Sequence, residues 1–206
     1  MTRILLIRHG HVEGIEPERF RGRMDVPLSA LGCLQAAATA ERIARTANFA
    51  SVYSSPLDRA LTTARSIAAP AGKDVQALAD LNDLDYGAWQ WKTFDEVRTA
   101  DPALFHRWFA TPDLIRFPGG DSLQDLVART ANVVRLVCEN HPRECVVIVG
   151  HDSVNRAILM QALAQPLCAY WRVAQSPCAI NELEITDSEA RVLRINDTAH
   201  LEGVRA

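Results

Sequence analysis

Two short apolar runs constrain the fold of this chain more than any other feature. Ile4–Ile7 and Cys145–Val149 are runs of four and five consecutive apolar residues, and neither alternates with polar positions. A strand with no polar face must be covered on both sides, which is the signature of a parallel sheet lying between helical layers. Both runs also lead directly into reactive residues: Arg8-His9-Gly10 after the first, Gly150-His151-Asp152 after the second.

The remaining pattern agrees. Further β-rich segments are expected at Ser51–Ser54, Val75–Leu78, Ala179–Thr186 and Arg191–Asn196. Helical stretches lie between them. Ser29 reads as the N-cap of a helix to about Thr46, and Ser55-Pro56 as the opening of one to about Ala69. Asp121 with Gln124 resembles a capping box for a long helix to Asn140. Shorter helices are expected at Thr93–Ala100, Pro102–Ala110 and Ser153–Ala164. Strands separated by helices predict an α/β fold: a three-layer α/β/α sandwich with a mostly parallel central sheet and an antiparallel final pair. At 206 residues, without a linker or internal repeat, one domain is expected over 1–206. Ala79–Lys92, with acids, glycine and two tryptophans but no clean periodicity, reads as a structured loop, and residues 81–121 as a small helical cap inserted into the domain.

Composition excludes more than it selects. The chain is 48% hydrophobic and 23% charged with a net charge of −3, which is incompatible with a disordered or fibrous protein and with general binding of nucleic acid. No apolar run reaches the roughly 20 residues that span a bilayer. The five cysteines form no CxxC pair, so free thiols in a reducing cytoplasm are expected.

In open α/β sheets, sites form at the carboxyl ends of strands. Three such ends carry Arg8-His9-Gly10-His11, Ser54-Ser55-Pro56-Leu57-Asp58-Arg59 and Gly150-His151-Asp152-Ser153. Together they supply two arginines, at least two imidazoles and helix N-termini, a set suited to a phosphoryl group and in-line attack by a neutral imidazole. The same residues leave a metal hydrolase open, with His9, His11, Asp83, His151 and Asp152 as ligands, although two arginines nearby would repel a cation. A non-catalytic protein that binds a phosphorylated ligand is a third reading.

The ordered motifs resemble the histidine phosphatase superfamily, in its phosphoglycerate mutase-like branch. Leu5–Gly10 reads LLIRHG. Arg19–Ser29 with Gly32 and Gln35-Ala36 resembles RFxGxxDxPLTxxGxxQA, and Ser54–Ala60 with Thr63-Ala64 resembles SSPLxRAxxTA. Leu81–Trp89 resembles LxExxxGxW, Pro118–Ser122 resembles PGGES, and Gly150-His151 with Arg156 closes the series.

The resemblance implies a metal-independent enzyme without cofactor that hydrolyses a small phosphorylated metabolite, of the alpha-ribazole or phosphoserine phosphatase kind, with mutase-type phosphoryl transfer as the alternative. His9 would be the nucleophile, Arg8 and Arg59 the phosphate-binding cations, and His151 a transition-state stabiliser. Arg21-Gly22 would contribute to substrate binding. Asp83 stands where the family has a glutamate as general acid and base, one methylene short, while Asp152 is the alternative acid. His11 replaces the usual Glu or Gln as a substrate contact or a plain loop residue. Ile15 replaces an asparagine that contacts phosphate. Trp91 stands where glycine is frequent, which implies a narrowed pocket mouth. Arg19, Arg21 and Arg23 either guide an acidic substrate or form a solvated loop face. Lys92 is the one basic residue between Lys73 and Arg98, so no cation is expected for a second acidic group on the substrate. Oligomeric state is not legible.

Overall fold

The apolar runs form the centre of the molecule. The computed structural model describes residues 1–205. Its strands are β1 (Thr2–Arg8), β2 (Ser51–Ser54), β3 (Val75–Ala77), β4 (Cys145–Gly150), β5 (Ile180–Ile185) and β6 (Ala190–Asp197). They make one six-stranded sheet in the order β3-β2-β4-β1-β5-β6. The first four are parallel and the last two antiparallel, as the terminal pair suggested.

Side chains alternate across β1 and β4, so each strand feeds two cores. Leu5, Ile7, Val147 and Val149 pack against α1 (Ala30–Thr46) and α2 (Asp58–Ala68). Ile4, Leu6, Val146 and Ile148 pack against α5 (Leu123–Asn140) and α6 (Asp152–Ala162). This is the three-layer sandwich that a two-sided apolar strand demands. Between β3 and α5 the chain leaves the sheet and forms two short helices, α3 (Phe94–Ala100) and α4 (Pro102–Ala110). Their aromatic residues pack onto one end of the second core, where Trp108 meets Phe117, Tyr170 and Trp171.

Two expected helix starts shift. α2 begins at Asp58, and its N-cap, Leu57, has no capping side chain. Ser55 is held back because its backbone N–H bonds Val149 at 3.1 Å, which continues the strand. α5 is capped by Ser122 with Asp125, not by Asp121 with Gln124: Ser122 Oγ accepts from the Asp125 N–H and the Asp125 carboxylate accepts from the Ser122 N–H. Asp121 is occupied instead by the Asp85 N–H and by Arg23, each at 3.1 Å.

Glycines set the approach of the site loops. A Cβ on Gly10 would lie 2.6 Å from the Gly32 carbonyl oxygen, so the end of β1 and the start of α1 meet backbone to backbone. Gly87 and Gly120 make a second contact of this kind, which ties the Asp83–Gly87 loop to the Pro118-Gly119-Gly120 turn.

Trp91 has φ 65°, a left-handed conformation that explains the frequency of glycine there in the resembling family. It does not line the cavity described below. Its carbonyl holds Arg19 at 2.7 Å and its ring lies 5.2 Å beneath that guanidinium. Trp91→Gly is expected to shift stability in denaturant melts by less than about 1 kcal/mol, because the lost cation–π contact and the relieved backbone strain are of similar size.

Candidate active site

The register of β1 against β4 builds the centre. Arg8 pairs with Gly150, so the two strands end level and release His9 and His151 side by side. The His9 N–H bonds the Gly150 carbonyl at 3.0 Å, and the imidazole centroids are 5.2 Å apart. β2, on the other side of β4, delivers Arg59 from the first turn of α2.

His9 is oriented by its own loop. Its Nδ1 lies 2.7 Å from the Gly10 carbonyl oxygen, which can only accept, so Nδ1 carries the proton and Nε2 keeps its lone pair. Burial, together with the positive charge of Arg59, the neighbouring His151 imidazole and the charge of Arg8, holds this imidazole well below its ordinary pKa of 6.5. Burial, followed by Arg59 and Arg129, does the same to His151. Both rings are therefore neutral near pH 7.

The unfolded chain takes up a proton on each ring as pH falls through about 6.5, whereas the folded chain does not. Their contribution to stability is complete above that pH and declines below it, by about 1.4 kcal/mol per pH unit for each ring. Melts from pH 7 to 5 should show this fall, and His151→Asn should remove about half of the imidazole part of the slope.

The arginines are fixed from behind and open in front. Arg59, fully buried, donates to the Met24 and Gly22 carbonyls at 2.7 Å each and to Asp83 at 3.3 Å. Arg8 donates to the Gln175 carbonyl. Among the described residues, the Nε–H groups of Arg8, Arg21 and Arg59 and both ring nitrogens of His151 are buried without a partner. Buried unpaired polar groups are costly, and the three guanidinium donors beside His151 mark a position shaped for an oxyanion.

Asp83 joins this centre. It is 7% exposed, with Oδ2 3.3 Å from Arg59 Nη2 and 3.8 Å from His151 Nδ1. Its Oδ1 accepts from Ser153 Oγ at 2.5 Å and from the Leu84 N–H at 2.9 Å. Asp152 lies on the cavity wall but is paired with Arg156 at 3.0 Å. Gly22 acts through its carbonyl, which anchors Arg59. Arg21 is held by the Gly14 carbonyl and faces the cavity. His11 is not brought to the centre: its ring bonds Ser29 Oγ at 2.8 Å, beside the cap of α1. The His9-x-His11 pair is thus split, and among the described residues no three His, Cys, Asp or Glu side chains gather as a metal-binding group.

A cavity of about 370 Å³ opens onto Arg8 and Asp83. Phe20, Tyr86, Phe94, Trp108, Phe109 and Trp171 supply its aromatic wall, and Ile15 also faces it. Arg19, Arg21 and Arg156 line it as well, so cations beyond the phosphate centre are present after all. They come from the loop before α1 and from α6, not from the 73–98 stretch. Arg23 stays outside, paired with Asp85 and Asp121. Sequence reasoning named Ser153 at the strand end without its bond to Asp83, and missed Gln175, whose carbonyl holds Arg8 and which carries no motif signal.

Residues 4–198 match the histidine phosphatase superfamily (branch 1). A bifunctional protein of Mycobacterium tuberculosis is 32% identical over 97% of this chain, which spans only 55% of that protein's length. Phosphoserine phosphatase 1 of Hydrogenobacter thermophilus is 29% identical, with 98% of this chain and 95% of the relative covered. The solved structure of Bacillus stearothermophilus YhfR superposes with a TM-score of 0.93 at 26% identity, covering 98% of this chain and all of the other. With the family match spanning nearly the whole chain and the strand-end centre in place, the chain belongs to the histidine phosphatase superfamily.

Proposed function

We propose that this chain is a metal-independent phosphomonoesterase that works through a phosphohistidine on His9. The observation that carries this reading is the His9 ring itself: buried, neutral, with Nδ1 committed to the Gly10 carbonyl, Nε2 left with its lone pair, and the charges of Arg59 and Arg8 close enough to act on it.

Nε2 attacks phosphorus and the phosphorus–oxygen bond to the alcohol breaks. Arg8, Arg59 and the neighbouring His151 stabilise the charge on the transferring group. The departing oxygen takes a proton from the Asp83 carboxyl. Water then attacks the phosphohistidine, Asp83 recovers a proton from it, and inorganic phosphate leaves with His9 restored. Residues 81–121 act as a cap that closes one side of the cavity. The substrate is a small phosphorylated metabolite, and the name of the Hydrogenobacter relative makes phosphoserine the first candidate. Cytoplasmic residence accords with the five free thiols.

The test is phosphate release from p-nitrophenyl phosphate and phosphoserine with and without EDTA. Release that persists after chelation is expected. No release, or release abolished by EDTA and restored by a divalent metal, overturns the reading.

A further inference from the structure

Away from the phosphate centre the cavity has a second polar corner. Arg156, 8% exposed, is fastened on three sides. Its Nε donates to Asp152 Oδ1 at 3.0 Å and its Nη1 to the Tyr170 carbonyl at 3.1 Å. Its guanidinium lies over the rings of Trp171 and Tyr170, at 5.0 and 5.2 Å from their centroids. Its Nη2 has no hydrogen bond within the protein among the described residues, and the side chain lines the cavity.

Two phenols share this corner. The Tyr170 hydroxyl, in a residue 1% exposed, is buried without a partner among the described residues, behind the cavity wall, where its ring backs Arg156. Tyr86 lines the cavity, held by edge-to-face contacts with Phe20 and Phe117 at 5.1 and 4.9 Å. Burial keeps both phenols protonated. Tyr86, in the cavity wall, is therefore available to a ligand as a donor.

We infer that Arg156 and Tyr86 form a carboxylate-recognition subsite that selects phosphomonoesters whose alcohol portion bears a carboxylate. This rests on the phosphomonoesterase reading and names the substrate class for that site. The choice of anion follows from charge and shape. One guanidinium, already half-compensated by Asp152, matches a monoanion better than a second phosphate dianion. Its open edge presents the planar donor geometry that a carboxylate accepts. An amine or a neutral hydroxyl would leave the Arg156 cation unanswered.

The experiment separates binding from turnover. Calorimetry on His9→Ala compares phosphoserine with phosphoethanolamine, and 3-phosphoglycerate with glycerol 3-phosphate; each pair differs at the carboxylate. The carboxylate-bearing member should bind about tenfold tighter or better, in keeping with a charge-assisted contact. Adding Tyr86→Phe or Arg156→Lys, one close to isosteric and the other charge-conserving, should shrink that preference to about threefold or less. Equal affinity within both pairs, or a preference that survives both substitutions, overturns the subsite. Phosphate release from p-nitrophenyl phosphate by the wild type reports separately on the phosphatase reading, so either can fail without the other.

Discussion

Replacement of His9 by alanine is expected to lower kcat on every phosphomonoester by about 10⁴-fold or more, since the covalent route disappears and water has no activated alternative. The loss should fall on kcat and not on KM. Arg59 stays bonded to Met24, Gly22 and Asp83, and Arg8 to Gln175, so the anion still finds its donors. The fold should tolerate the change, because the backbone N–H of residue 9 still reaches Gly150. Rapid acid-free quenching of the wild type during turnover should trap phosphate on the protein, and the variant should trap none. A variant that retained more than about 1% of the rate would exclude His9 as the nucleophile.

Asp83→Asn is expected to produce the second-largest effect, and its size should depend on the alcohol released. An alkyl alkoxide needs a proton as it departs, so phosphoserine or glycerol phosphate hydrolysis should drop by about 10²- to 10³-fold. p-Nitrophenolate leaves unaided, and with it the first step should suffer much less. Asp152→Asn should cost no more than about tenfold on either substrate and should show no dependence on the leaving group. The geometry behind this contrast is plain: Asp83 lies 3.8 Å from His151 and 3.3 Å from Arg59, whereas Asp152 is engaged with Arg156. Equal and leaving-group-independent losses for the two variants would remove Asp83 from the role of acid.

How much of this was legible in the chain depends on whether local order or distant packing decides the residue. The apolar runs declared the two-sided strands, and strands that end in Arg8-His9 and Gly150-His151 declared a site, because the carboxyl end of a parallel strand opens onto the same edge of the sheet. Arg59 followed from its place at a helix start. Helix entries were harder. Ser55 has the composition of a cap, yet its N–H is claimed by β4, and Ser122 rather than Asp121 caps α5 because Asp121 is drawn away by Arg23 and Asp85. Such competition is tertiary and invisible in a window of neighbours. The same holds for Arg156. In the sequence it is a helix residue five places after His151, and only the fold lays Tyr170 and Trp171 against it. His11, one residue removed from the glycine that follows the nucleophile, looked chemical and turned out to be tied to Ser29.

The carbonyl tethers on Arg59 have a consequence for how the protein meets its ligand. Met24 and Gly22 hold the guanidinium while it faces the centre, so the freedom of that long side chain was surrendered when the chain folded. An arriving oxyanion finds donors that need little further ordering. Rigidity of this kind makes the phosphate end indifferent to what the phosphate is attached to. Inorganic phosphate and other tetrahedral oxyanions should therefore compete with every substrate alike, while discrimination among substrates is left to the opposite wall.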